Sequence, residues 1–392
     1  MNTIGIDYEP SFTVISLNEE AENGYRPVSI GDGLRDIVPN AVAGESVWGS
    51  KAVLEARDLF EAAAPNSKTA WIDGAGPIYF WRQLFNHCYH HLGHVRPVWS
   101  NGYRLVVSLS SVEFEKEAGA VRDVVRQAGF DRPEVIFSPD ALLGRWLSQA
   151  GESRIGVQNV LATVVTDACI IVRDYQLSFE KQQVAVIEAG TPRFFSGVGL
   201  SFWVNYVQRL LSERLGRSIP DQNRLAVRDA AIEMGVRLLH TPDLQPVIWQ
   251  GPFRHLLPVP FIMTPKDRFA WQDSLTDIAQ LHEFFERAFS NHGSRPPFDR
   301  LIWGGPGAIC PCGVDMVKQV VPTEKFWDSN DSVNDIALGA TWWHHFLSPY
   351  QQNLKWNPGE GSVSVEIRSN TGPESPESDT EDPLLCVPPW LR

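Results

Sequence analysis

The sequence predicts a two-lobed α/β protein, each lobe a mixed sheet flanked by helices, followed by a disordered acidic tail. Three observations predict it. The chain has 392 residues, more than one hydrophobic core usually organises, so two cores are expected. The first half alternates strand-like and helix-like segments, an order that lays helices over a parallel or mixed sheet. The second half runs through the same alternation again.

Each element follows from a local pattern. Residues 3–7 and 12–17 are β-rich and flank the turn-like Tyr8-Glu9-Pro10-Ser11, which makes an early hairpin. Residues 36–47, with Pro39 and Gly44, read as a mixed extended stretch, and 51–64, rich in Ala and Leu, as a helix. Residues 79–92 carry aromatic and apolar side chains at helical spacing. Arg-Leu-Val-Val-Ser-Leu at 104–109 is a buried-strand candidate. Residues 113–128 form an amphipathic helix, with Ala118, Val121, Val124, Val125 and Ala128 on its apolar face and Gly129 as its stop. A strand at 134–137 and a helix at 140–149 follow.

In the second half, strands are expected at 159–165, 168–174 and 182–188, and helices at 200–215, 229–239 and 275–289. A strand at 300–303 runs into Gly304-Gly305-Pro306-Gly307, and a last helix covers 335–346. Lobe I is thus expected over 1–155. Lobe II is expected over 156–349, its final helix returning to lobe I, and the tail over 350–392. Residues 357–383 are rich in Gly, Ser, Pro, Glu and Asp and poor in apolar residues, a composition that cannot bury a core. The chain ends on Leu384-Leu385-Cys386-Val387-Pro388-Pro389-Trp390, an apolar patch that is a candidate docking peptide; most termini carry no such role.

Composition narrows the function classes. The net charge of −13 argues against nonspecific binding to nucleic acid or an anionic membrane, both of which need clustered Lys and Arg. Five scattered cysteines, Cys88, Cys169, Cys310, Cys312 and Cys386, do not make a secreted disulfide framework. The N-terminus lacks a signal-like start, and no apolar run reaches eighteen residues, so a cytoplasmic protein is expected. His87, Cys88, His90, His91 and His94 crowd one helix, with pairs at i, i+4, but no acidic neighbour completes a metal site. Cys310-Pro311-Cys312 has one intervening residue and no second pair. A Gly-x-Ser-x-Gly elbow and a Gly-x-x-x-x-Gly-Lys phosphate loop are both absent.

Four segments, in this order and at this spacing across residues 3–346, carry a resemblance. Ile4-Gly5-Ile6-Asp7 looks like a first phosphate hairpin of the form Ile-Gly-Ile-Asp-Leu-Gly-Thr-Thr. Val38-Pro39-Asn40-Ala41-Val42-Ala43 with Trp48-Gly49 resembles an Ile-Pro-Ser-x-Val segment and its following glycine. The stretch 105–129 with 135–141 resembles a strand, long helix, strand and Asn-Glu-Pro-Thr-Ala-Ala connection, which here reads Phe137-Ser138-Pro139-Asp140-Ala141. Leu301-Ile302-Trp303-Gly304-Gly305 is similar to an adenosine motif, and Ile336-Ala337-Leu338-Gly339-Ala340 to a closing helix. Together they resemble the nucleotide-binding domain of the 70-kilodalton heat-shock chaperones, within the actin-like ATPase superfamily.

The resemblance implies the two-lobed actin-like ATPase fold, with ATP or ADP and magnesium in the cleft between the lobes. In such a site two hairpins offer backbone N–H groups to the phosphates, and glycine lets the backbone approach them. A carboxylate ending the first strand orients magnesium or its waters. The nucleotide-binding positions it implies are Asp7, Ser11, Gly197, Gly199, Glu233, Gly304 and Gly305, with Asp7 the best catalytic candidate.

Several positions depart from the pattern. Glu9 brings a negative charge to the first hairpin and Pro10 removes an N–H donor. The second hairpin, Val164-Val165-Thr166-Asp167-Ala168-Cys169, has no glycine, and its Asp167 reads best as a turn residue. Ser138 stands for a glutamate, Ala308 for a basic residue near the base, and Val236 for a lysine. These changes lead to the expectation of a regulatory or scaffold pseudo-ATPase without a substrate-binding domain. It would recruit a protein partner through the cleft or the C-terminal tail. The alternative is an active ATP-dependent ATPase or phosphotransferase, for which only Asp7 and Asp167 are available as bases; turnover abolished by Asp7→Ala would mark it. A filament protein like actin would need head-to-tail surfaces.

Overall fold

The structure is a computed structural model. It describes residues 2–21, 24–32, 37–43, 46–52, 69–71, 74–91, 103–149, 156–180, 183–196, 199–216, 246–249, 261–264, 278–289, 298–309, 313–329 and 333–346, with isolated positions 218, 231, 234 and 266–267.

The first sheet grows from the early hairpin. Strands β1 (Asn2–Tyr8) and β2 (Phe12–Ala21) pair antiparallel, with Ile4 opposite Leu17 and Asp7 opposite Val14. Strand β3 (Gly24–Ser29) extends the meander, and β4 (Ile37–Pro39) pairs with the start of β2. On its other side β1 runs parallel to β5 (Tyr103–Leu109), which runs parallel to β6 (Pro133–Phe137). The order is β3-β2-β1-β5-β6. Alternation along β1 sends Ile4, Ile6 and Tyr8 into one core. Helix α1 (Ile78–His91) adds Phe80, Trp81, Leu84 and Phe85 to that core, and α2 (Phe114–Gln127) adds Ala118, Val121 and Val125.

Helix α3 (Ser138–Gln149) follows β6 directly, and Pro139 sits in its first turn, where a missing N–H does no harm. Nine of its twelve residues are buried, because both sheets cover it.

The second sheet repeats the scheme of the first. Strands β7 (Gly156–Val165), β8 (Cys169–Glu180) and β9 (Gln183–Ala189) form an antiparallel meander, and β10 (Arg193–Ser196) pairs with the start of β8. Strand β7 then runs parallel to β11 (Arg300–Gly304), which runs parallel to β12 (Phe326–Asp328). The order β9-β8-β7-β11-β12 matches the first sheet strand for strand. Helices α4 (Leu200–Leu215), α5 (Ile278–Phe289) and α6 (Gly313–Val320) belong to this half. Leu281 and Phe285 of α5 and Val317 of α6 pack with Leu161, Val172, Leu301 and Trp303 on the outer face.

Helix α7 (Asp335–Phe346) closes the arrangement. It lies against α3 and against β1, β2 and β5 of the first sheet. Ile336, Ala340 and Trp343 join Val106, Leu142, Trp146, Val160, Val164 and Ile302 in one core that draws on both sheets. Close approach requires small residues here: a Cβ on Gly5 would overlap the Ala337 carbonyl, and one on Gly339 the Ala141 carbonyl.

The structure therefore has two sheet-bearing lobes, each a mixed sheet flanked by helices. It differs from the sequence-based expectation in detail. Strands β3, β10 and β12 had no expected counterpart. Strand β8 runs six residues past the expected end at 174, and α3 starts at Ser138 instead of 140. Most of the helices expected at 51–64 and 229–239, and all of the tail expected at 350–392, lie outside the described residues. No helix among the described residues is long and apolar enough to cross a membrane.

Candidate functional site

The two hairpin turns, β1–β2 and β7–β8, carry the groups of interest. The first is shaped by Asn40, the residue between β4 and the next short strand. The Asn40 side-chain amide donates to the Glu9 carbonyl at 2.6 Å, its backbone N–H donates to the Ser11 carbonyl at 3.0 Å, and Thr13 donates to its side-chain oxygen at 2.6 Å. The Glu9 N–H donates across the turn to the Phe12 carbonyl at 3.0 Å.

The second turn holds itself. Thr166 Oγ1 donates to the Cys169 carbonyl at 2.8 Å and accepts the N–H groups of Ala168 and Cys169 at 3.2 and 3.0 Å. Thr166 N–H donates to the Cys169 carbonyl at 2.9 Å. A side-chain hydroxyl thus does what glycines would otherwise allow, and makes a compact turn without one. Asp167 lies within this turn. The N-terminus of α4 abuts it: Leu200 and Ser201 N–H groups donate to the Thr166 and Asp167 carbonyls at 3.2 and 2.8 Å.

Glu9 joins the two turns. Its Oε2 accepts the Asp167 backbone N–H at 3.3 Å, although 158 residues separate them. Ser110, just past β5, lies near this carboxyl group. Ser110 is one end of a hydroxyl chain: its Oγ lies 2.6 Å from Ser138 Oγ, which lies 2.8 Å from Ser108 Oγ.

The acids here are not matched by a base. Asp7 is fully buried, and neither of its carboxylate oxygens has a hydrogen-bond partner among the described residues. Burial pushes its pKa up to about 8. Glu9, 1% exposed, is raised well above the carboxylate range by burial, then by the Asp7 charge and, less strongly, by Asp167. No Lys, Arg or His among the described residues contributes to either shift. Asp7 therefore holds its proton in the folded chain at neutral pH, and Glu9 is shifted in the same direction.

The remaining sequence-derived positions fall as follows. Ser11 is buried beside the first turn, and its hydroxyl has no partner among the described residues. Gly199 precedes α4 with φ +154°, and a Cβ there would lie 2.8 Å from the Asp167 carbonyl. Gly305, with φ +103°, backs the same turn, where a Cβ would lie 2.7 Å from the Val165 carbonyl. Gly304 faces Leu142 and Asp335. Gly199 and Gly305 thus back the second turn through close packing of protein on protein. Gly197 and Glu233 lie outside the described residues.

The donors that a polyphosphate would need are engaged within the chain. Among residues 166–169, the Thr166, Asp167, Ala168 and Cys169 N–H groups bond Cys169, Glu9 and Thr166. In the first turn Glu9 N–H is engaged and Pro10 has none. Among the described residues, these two turns do not fit a magnesium nucleotide in this arrangement.

A second buried cluster ties α3 to the second sheet and was not anticipated from sequence. Asp140 accepts from Arg173 Nη1 at 2.9 Å and from the Tyr175 hydroxyl at 2.5 Å, and Arg173 Nε donates to the Gly190 carbonyl at 3.0 Å. The guanidinium lies over the Phe137 and Tyr175 rings. Burial works against the Arg173 charge, but Asp140, Tyr175 and Asp174 together outweigh it, so its pKa is raised. Tyr175 is raised by burial and then by Asp140. The one signal in the sequence was a basic residue inside the apolar run Ile170-Ile171-Val172-Arg173.

Of the histidine-rich helix, Cys88 is fully buried in the first core, and burial pushes its thiol up to about 12. His87 packs edge-on to Trp48, and burial lowers its pKa. His90 and His91 are exposed, and His94 lies outside the described residues. No group of three or more His, Cys, Asp or Glu placed to hold a metal ion occurs among the described residues. The chain matches no protein-family model and no curated protein sequence.

Proposed function

We propose that this chain is a degenerate member of the actin-like ATPase fold, similar to the nucleotide-binding domain of the heat-shock chaperones, and that it works as a regulatory or scaffold pseudo-ATPase. One observation carries the reading: the hairpin turns of the two sheets meet through Glu9 and Asp167, with their donors already engaged by protein groups. The repeated strand order and the closing helix against the first sheet support the fold assignment. Two buried acids with no basic neighbour among the described residues make the cleft a poor host for a triphosphate, because they offer its buried charge no counter-charge. A scaffold needs the two lobes as a rigid surface and needs no turnover. Its partner is a protein that recognises the closed lobes or the C-terminal tail.

The test is thermal unfolding of the purified chain without ligand, with millimolar Mg-ATP and with millimolar Mg-ADP. A ligand at about a hundred times its dissociation constant adds roughly 2.7 kcal/mol to stability. The expected outcome is an unchanged Tm with both nucleotides and no phosphate release. A shift of several degrees, with turnover that vanishes in Asp7→Ala, would replace the scaffold by an active ATPase or phosphotransferase.

A further inference from the structure

We propose that Glu9 is an interlobe latch: its carboxyl group reaches from the β1–β2 turn to the backbone N–H of Asp167 in the β7–β8 turn and holds the two lobes closed.

The geometry is specific. Glu9 Oε2 accepts from Asp167 N–H at 3.3 Å, while the backbone on either side of Glu9 is fixed by Asn40 and Phe12. The latch arm therefore starts from a rigid turn and cannot relax by local rearrangement. Its far end is also rigid, because Thr166 closes the second turn and Ser201 clamps the Asp167 carbonyl through both its N–H and its hydroxyl. The carboxyl group is wholly buried, so water does not compete for the Asp167 donor. The Ser108–Ser138–Ser110 hydroxyl chain lies on the lobe I side of Glu9 and passes through Ser138, the first residue of α3, the helix between the sheets.

The groups facing Glu9 are Asp7 from β1, Asp167 from the second turn and the Ser110 hydroxyl. A neutral carboxyl suits this setting, since it accepts from Asp167 N–H without adding a charge beside two other acids. The amide of Gln offers the same acceptor at the same reach. Asp keeps the carboxyl but is one methylene short, and Ala removes the arm.

The latch and the scaffold reading concern the same cleft, but the latch is measured on the ligand-free chain, so either can fail alone. The experiment is hydrogen exchange of the full chain, comparing wild type with Glu9→Gln, Glu9→Asp and Glu9→Ala at one pH near neutrality. Expected are near wild-type protection of the 166–169 amides in Glu9→Gln and exchange about fivefold or more faster in Glu9→Asp and Glu9→Ala, the change for one buried hydrogen bond of ordinary strength. Amides in β5 and α2 should not change. Equal protection at 166–169 in all four proteins would overturn the latch. Should Glu9→Ala fail to fold, the Gln and Asp variants decide: protection lost in Asp and kept in Gln supports it, and equal protection in both overturns it.

Discussion

Asp7 lies near the end of a strand in which Ile4, Ile6 and Tyr8 serve a core, and its own side chain is shut in with no hydrogen-bond partner among the described residues. An unfolded carboxylate titrates near pH 4; here burial moves the folded value to about 8. Between those values the folded chain keeps a proton that the unfolded chain has released. Stability therefore falls as pH rises from about 4 to about 8, with a slope of at most about 1.4 kcal/mol per pH step of one. Glu9, raised for the same reason, adds to the trend in the same direction. Replacing Asp7 by Asn removes this dependence at one site. The Asp7→Asn variant should melt several degrees above wild type at pH 8 and close to it at pH 5, measured by calorimetry across that range. Parallel Tm-versus-pH curves for the two proteins would show that Asp7 is not protonated by folding. The sequence made Asp7 and Glu9 visible as acids at the end of a hairpin. It did not show that Glu9 reaches Asp167, because that contact depends on the placement of two turns 158 residues apart.

At the scale of elements, legibility followed periodicity. Helix α2 matches its expected span to within a residue at each end because only one face is apolar. Helix α3 begins two residues before its expected start because it is buried on nearly every side and lacks an amphipathic stripe. Strands β10 and β12 are four and three residues long, too short for an alternation to register. The tie between α3 and β8 was invisible for a related reason: Asp140 and Arg173 each look ordinary alone. Their pair is buried, and removing one partner leaves an uncompensated charge, which costs about 3–5 kcal/mol. Arg173→Met should destabilise the chain by that order. The double variant Arg173→Met with Asp140→Leu should recover much of the loss, since no charge then remains buried. A double-mutant cycle in denaturant provides the measurement. Strictly additive losses would mean that the two side chains do not act as a pair.

The whole molecule is two copies of one strand scheme held together by what lies between them. Each sheet is a meander followed by two parallel strands on the far side of its first strand, and besides each half's own core the two share a central one. The central core takes Val106 and Ile136 from the first sheet, Val160, Val164 and Ile302 from the second, and Leu142, Trp146, Ile336 and Trp343 from α3 and α7. The two helices meet at glycines: a Cβ on Gly144 would lie 2.9 Å from the Gly339 carbonyl, and one on Gly339 would overlap Ala141. The Arg145–Asp335 ion pair at 3.2 Å, its aspartate fully buried, fixes the register of the crossing. Shared burial of this kind couples the lobes, so they should unfold in one cooperative transition. Gly339→Leu tests the coupling. The larger side chain fits a helix well but must push α3 from α7, and overpacking of a tight contact costs typically about 1–3 kcal/mol, occasionally more. Calorimetry should show one endotherm for wild type and a lower Tm for the variant, with Gly339→Ala falling between them. A Gly339→Leu chain as stable as wild type would mean that the helices do not approach so closely, and the joint between the lobes would have to be sought at the hairpin turns and the Asp140–Arg173 pair instead.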